Sequence, residues 1–217
     1  MRNMRLLFSC ILILTAAAAA AVEIDIRFLD LAEESSSEMI SDMIDLDLYP
    51  VGMEQADGST YMMMFSGSED MEVEDWKISA FPHDEINQGL STLMEEGWMP
   101  VGFDMQNSLA MFLLLKIDAD ISSWGIIDVG IESEDLAGNF QRLFEQDMRP
   151  MDISVLDGRI YILAVESPMV VPGEGLIQSL PLDTEQTQAE ILRRSEQGFI
   201  PWGLGLHNDS VLMLFLQ

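Results

Sequence analysis

Carboxylates are the one reactive group this 217-residue chain carries in quantity. It has 38 Asp and Glu against 10 Lys and Arg, a net charge of -28. Two carboxylates facing each other across a cleft could serve as the acid and base of a glycosidase-type hydrolase. Close pairs such as Asp45-x-Asp47 and Asp118-x-Asp120 offer hard oxygens to calcium, although neither matches an EF-hand loop. With 38 candidates, spacing alone nominates no catalytic pair. Other chemistries are poorly supplied. His83 and His207 are the only histidines and Cys10 the only cysteine, so a zinc cluster lacks ligands. No Gly-x-Ser-x-Gly elbow and no Gly-rich loop with lysine is present. Met62, Met63 and Met64 could bind Cu(I) as thioethers. The equivalent stretches described below hold Phe112 to Leu114 and Ile162 to Ala164, so methionine there reads as core filler. The inventory yields no catalytic residue, no metal and no cofactor, and favours a non-catalytic protein over an enzyme.

The charge also restricts partners. Lys77 and Lys116 are the only lysines, and the acidic residues are scattered rather than gathered in a tail. Such a surface repels nucleic acid, whose binding needs a basic footprint. A protein or a small molecule remains possible as a partner, and oligomeric state is left open. The N-terminus explains where the chain works. Arg2 and Arg5 precede an apolar run from Leu6 to Leu14, and Ala16 to Ala21 supply small residues for a signal peptidase. Residues 1–21 read as a signal peptide cleaved within Ala18 to Ala21. The mature chain is then exported, periplasmic or extracellular, without stable membrane insertion. It would hold no cysteine, so burial must supply its stability.

Four prolines reveal how the mature part is built. Pro50, Pro100, Pro150 and Pro201 stand 50, 50 and 51 residues apart. Three positions before them come Asp47, Gly97, Asp147 and Gly198, and two after them Gly52, Gly102, Asp152 and Gly203. Equal spacing of matched residue types implies tandem repeats, at 22–70, 71–120, 121–171 and 172–217. Within each, an amphipathic helix precedes the proline, as in Leu136, Phe140, Leu143 and Phe144. Glu34, Asp84, Glu134 and Glu185 are expected in its first turn, with Ser133 or Asp183 as N-caps. Gly97 and Gly198 suit a left-handed helix end. A strand, a polar turn such as Asp157-Gly158 and an apolar return strand follow. A short strand opens each unit, at Ile24, Trp76, Trp124 and Leu176. The fold class is α+β: four strand-helix-strand-strand repeats of antiparallel or mixed sheet with helices on one face. They would form one curved sheet or two pseudo-symmetric halves.

Gly97-Trp98-Met99-Pro100-Val101 and Gly198-Phe199-Ile200-Pro201-Trp202, with Tyr61 and Tyr161 on return strands, give the chain a resemblance. It resembles the structural tandem repeat found beside polyglycine-hydrolase-like serine hydrolase domains. That resemblance implies a secreted accessory module, because catalysis there belongs to a separate domain with a Ser-x-x-Lys nucleophile, which this chain lacks. The element order is also similar to gyrase-inhibitor-like small-ligand binders. The expected function is an exported non-catalytic binding or scaffold protein that contacts a protein or envelope component through an exposed apolar patch or groove. The alternatives are a small-ligand binder with a pocket between paired modules, and a carboxylate hydrolase. Trp76, Trp98, Trp124 and Trp202 are expected to anchor helices against sheet.

Overall fold

The computed structural model describes residues 9–12, 24–29, 34–46, 48–56, 59–66, 72–117, 121, 123–131, 136–166 and 172–217. The signal cleavage site, Asp47, Asp57-Gly58, Asp118, Asp120, Ser133 and Glu134 lie outside them. A short strand β1 (Ser9–Leu12) pairs antiparallel with β2 (Ile24–Leu29). It belongs to the stretch read as signal peptide. Four units of one element order follow. The first is β2, α1 (Glu34–Ile44), β3 (Leu48–Ala56) and β4 (Ser59–Ser66). The second is β5 (Val73–Pro82), α2 (Ile86–Glu95), β6 (Trp98–Met105) and β7 (Leu109–Ile117). The third is β8 (Ser123–Gly130), α3 (Leu136–Phe144), β9 (Met148–Leu156) and β10 (Arg159–Glu166). The fourth is β11 (Gly175–Pro181), α4 (Thr184–Ser195), β12 (Ile200–His207) and β13 (Ser210–Leu216).

In every unit the return strand lies in the middle of its own small antiparallel sheet. The opening strand pairs on one side and the proline strand on the other. The expectation of one curved sheet or two halves is therefore corrected. The units share no hydrogen-bonded sheet; they meet through packing of the proline strands. β3 packs against β6, β6 against β9, β9 against β12, and β12 against β3. These four inner strands surround a common axis. Return strands that looked covered on both sides are indeed buried, as at Phe112 to Leu115 and Leu212 to Leu216. Met62, Met63 and Met64 are fully buried in the same core.

The prolines occupy the one place in a strand that accepts them. Each lies on an edge strand beside a register shift: between Pro50 and Gly52, Pro100 and Gly102, Pro150 and Asp152, and Pro201 and Gly203. Proline lacks an N–H and is confined to edges and bulges, and a bulge bends its strand and sharpens the twist. All four register shifts thus begin at a proline.

Helix ends follow their sequence signals. Gly97 and Gly198 have φ of 85° and 89°, and Asp147 takes the same left-handed region at 57°. Glycine enters that region without strain, whereas a Cβ costs about 1 kcal/mol. Asp147→Gly is expected to raise stability by about 1 kcal/mol, read from the urea midpoint. Asp183 caps α4 by accepting the Gln186 N–H at 2.9 Å. Asp84 stands in a turn two residues before α2 rather than in its first helical turn. The carbonyl ends are closed alike in two units, where Lys116 donates to the Glu96 carbonyl and Gln217 to that of Gln197 at 3.1 Å.

Tryptophans lock successive units. Trp76 Nε1 of β5 donates to Ser41 on α1, and Trp124 Nε1 of β8 donates to Ser91 on α2, both at 3.2 Å. At the next joint the sizes reverse. Gly175, which pairs in register like Trp76 and Trp124, faces the stacked rings of Phe140 and Phe144 on α3. Trp98 instead lies under Lys77, whose ammonium sits 3.8 Å from the ring centre. Trp202 packs against the Arg149 guanidinium at 4.3 Å, joining β12 to β9. Burial lowers the Arg149 pKa to about 10.

Candidate functional site

The four inner strands each leave one edge unpaired, and those edges converge where water does not reach. Buried N–H groups must find acceptors. Asp152, two places after its proline, and Glu54, Asp104 and Ser154, four places after theirs, provide them, and the buried acidic residues among those described lie here. Asp152, fully buried, takes the centre. Its Oδ2 accepts the N–H of Met53 at 3.0 Å and of Phe103 at 2.9 Å. Its Oδ1 accepts the N–H of Ile153 at 2.9 Å and of Leu204 at 3.0 Å. Those donors are the residues three places after Pro50, Pro100, Pro150 and Pro201, one from each unit. Each oxygen therefore has two donors. Complete burial pushes the Asp152 carboxyl well above the usual carboxylate range, while the four N–H groups act in the opposite direction.

Only one side chain fits on the axis. The equivalent positions in the other units are Gly52, Gly102 and Gly203. A Cβ built on them would lie 3.3 Å from Asp152 Oδ1, 3.3 Å from Oδ2 and 2.6 Å from Oδ1 respectively. Glycine is present for close approach at these places, since none of the three has a left-handed φ.

A second ring lies two residues further along, formed by Glu54, Asp104, Ser154 and Gly205. Its side chains reach backward around the axis. Asp104 accepts the N–H of Gln55, Ser154 accepts that of Met105 at 2.9 Å, and Glu54 accepts that of Leu206. Gly205 brings no side chain to the fourth place. The Ser154 hydroxyl donates onward to Asp104 Oδ1 at 3.2 Å, and Gln106 Nε2 donates to Asp104 Oδ2 and Gln55 Oε1, both at 2.9 Å. Glu54 is the exception to this satisfaction, because its Oε2 is buried without a partner.

The environment shifts both carboxyls in one direction. Burial raises the Glu54 pKa well above its ordinary value, and the Asp104 and Asp152 charges add to the rise. Burial likewise raises the Asp104 pKa, opposed by its bonds from Gln106, Ser154 and the Gln55 N–H. A proton on Glu54 removes an anion from a crowded, dry place. Folded pKa values above the unfolded ones mean that this stability is fully present below the unfolded carboxyl pKa, about 4. It is lost as pH rises through the folded values. Glu54→Gln, neutral at every pH, is expected to be more stable than the parent at pH 8 and equal to it near pH 4. Melting temperatures across that range check this. A parent chain that is most stable at pH 8 would contradict the assignment.

These carboxylates are closed off from solvent. Glu54 and Asp104 are 4% and 2% exposed, and both Asp104 oxygens are held by neighbouring donors. The candidate histidines stand apart: His83 is exposed before α2, and His207 closes β12 with Nε2 2.8 Å from Asn208 Nδ2. Among the described residues no group of three or more His, Cys, Asp or Glu side chains is placed to hold a metal ion. The sequence marked Pro50, Pro100, Pro150, Pro201, Gly97 and Gly198, which are structural, and did not select Glu54, Asp104, Asp152 or Ser154. A signal for them exists: Glu54 and Asp104 are acidic residues inside otherwise apolar strands, each four places after one of the evenly spaced prolines.

Among the described residues, Leu46 and Leu192 are the large hydrophobic side chains left exposed. The return strands are buried, as at Ile162 to Val165 and Leu212 to Leu216. No described helix is long and apolar enough to cross a membrane. Comparison with protein-family models, with curated proteins and with solved structures found no match.

Proposed function

We propose that the chain is an exported, non-catalytic binding or scaffold protein whose four units are copies of one repeat of roughly 50 residues. The supporting observation is where its acidic chemistry is used. Asp152, Asp104 and Glu54 turn inward and accept the backbone N–H groups of four converging strand edges. A carboxylate used in this way holds strands together and meets no substrate. The prolines, bulges and axial glycines recurring at one position support the repeat reading, since units of this size must stack to bury their apolar faces. The resemblance to an accessory repeat beside a hydrolase domain is consistent with catalysis residing elsewhere. A partner, protein or envelope component, would be met by the acidic exterior, and the cleavable N-terminus would place the encounter outside the cytoplasm.

The test compares the mature chain with its Glu54→Gln and Asp104→Asn variants, in cross-linking within the exported compartment and against panels of glycan and peptide substrates. The same cross-linked partner with all three proteins, and no turnover by any, is the expected result. Hydrolysis by the parent that either variant abolishes would overturn the proposal.

A further inference from the structure

We infer that the four N–H groups on the axis form a receptor for one small planar carboxylate, and that Asp152 is the ligand the chain supplies to itself. The donors are backbone groups of four separate strands: Met53, Phe103, Ile153 and Leu204. They exist whichever residue brings the carboxylate. Around that carboxylate stand Gly52, Gly102 and Gly203, whose hypothetical Cβ atoms would reach 3.3, 3.3 and 2.6 Å from its oxygens. The receptor therefore has room for a single carboxylate group, and of the three glycines Gly52, where a Cβ meets no backbone atom closer than 3.5 Å, is the place from which another could enter. None of the three glycines has a left-handed φ, so none requires glycine for its backbone.

Removing the side chain with Asp152→Gly makes all four units alike at this position. It also leaves a dry cavity lined by four donors, a site for an oxyanion. Formate presents the same two oxygens at the same angle, with a hydrogen where Asp152 has Cβ. Acetate places a methyl group there, against the new glycine Cα, and fits less well. Chloride can engage the donors but cannot divide them between two oxygens. The ligand class is accordingly a monocarboxylate with no substituent larger than hydrogen, formate being the probe. The ring is buried, so entry accompanies local opening or refolding.

The experiment measures melting temperatures of the parent and Asp152→Gly in sodium formate, acetate and chloride at equal ionic strength. At saturating formate the variant is expected to gain about 5 °C more than the parent gains, with acetate giving less and chloride least. A second variant moves the carboxylate around the axis. Asp152→Gly with Gly52→Asp should recover most of the melting temperature lost by Asp152→Gly, whereas Gly52→Asp alone crowds two carboxylates into one ring and should melt lowest. Equal formate shifts in parent and variant, or a double variant no more stable than Asp152→Gly, would overturn the inference. If Asp152→Gly does not fold alone, refolding it in formate and refolding the double variant decide the matter. Failure of both counts against the receptor.

Discussion

Asp152→Asn should cost about 3–5 kcal/mol, a large share of the stability of a domain this size. Asparagine has nearly the shape of aspartate, so the loss cannot be ascribed to a cavity. It arises from hydrogen-bond polarity. The amide oxygen can still accept two of the four N–H groups, but the amide nitrogen is itself a donor. It confronts the other two, either Met53 and Phe103 or Ile153 and Leu204, depending on which way the amide turns. Two buried donors are orphaned and the two hydrogens of the amide nitrogen are pointed at them. Urea unfolding of the variant, with exposed Asp209→Asn as control, reads the difference directly. A change within about 0.5 kcal/mol, typical of surface sites, would mean that the axis does not hold the four units together. The expected loss is independent of salt, because the Asp152 interactions are shielded from solvent.

Gly203→Ala should be nearly as damaging, by about 3 kcal/mol. The added methyl would sit 2.6 Å from Asp152 Oδ1 and 2.8 Å from its Cα. The second of these atoms is backbone and cannot swing away, so β12 must separate from β9 or the carboxylate must leave its donors. The other axial glycines grade the effect. At Gly102 the nearest atom is the Met53 nitrogen at 3.1 Å, and at Gly52 it is Asp152 Oδ1 at 3.3 Å. Alanine should therefore cost most at 203, less at 102 and least at 52. Gly130, with nothing within 4 Å, serves as the neutral site. Calorimetric melting of the four variants tests the order. Equal losses at 203 and 130 would contradict the close approach of the inner strands.

Local features were legible in the residues to the extent that their causes are local. Helix ends at Gly97 and Gly198, the Asp183 cap and the Asp157-Gly158 turn depend on a few neighbouring dihedrals, and the structure places them as the residue types require. The order of elements in each unit follows from hydrophobic period and punctuation for the same reason. The arrangement of units was not legible. Whether four small sheets join edge to edge or pack around an axis depends on inter-unit contacts that no single segment encodes, and both solutions bury the same apolar residues. The site was hidden with it. Gly52, Gly102, Asp152 and Gly203 align from the prolines alone. The aspartate looks like drift at a glycine position until the four strands are seen to meet. Glu54 and Asp104 were hidden by abundance, because buried carboxylates and solvated ones are written with the same letters.

The axis also matches one functional group to the four strand edges that meet on it. A carboxylate has four lone-pair directions in one plane, and Asp152 spends one on each unit, its own included. A fifth unit inserted by duplication would bring a backbone donor with no valence left to receive it, and would widen the centre beyond the span of two oxygens. A chain with three would leave a lone pair idle in a dry interior. Adding or removing an inner strand is thus opposed here by the stoichiometry of one functional group.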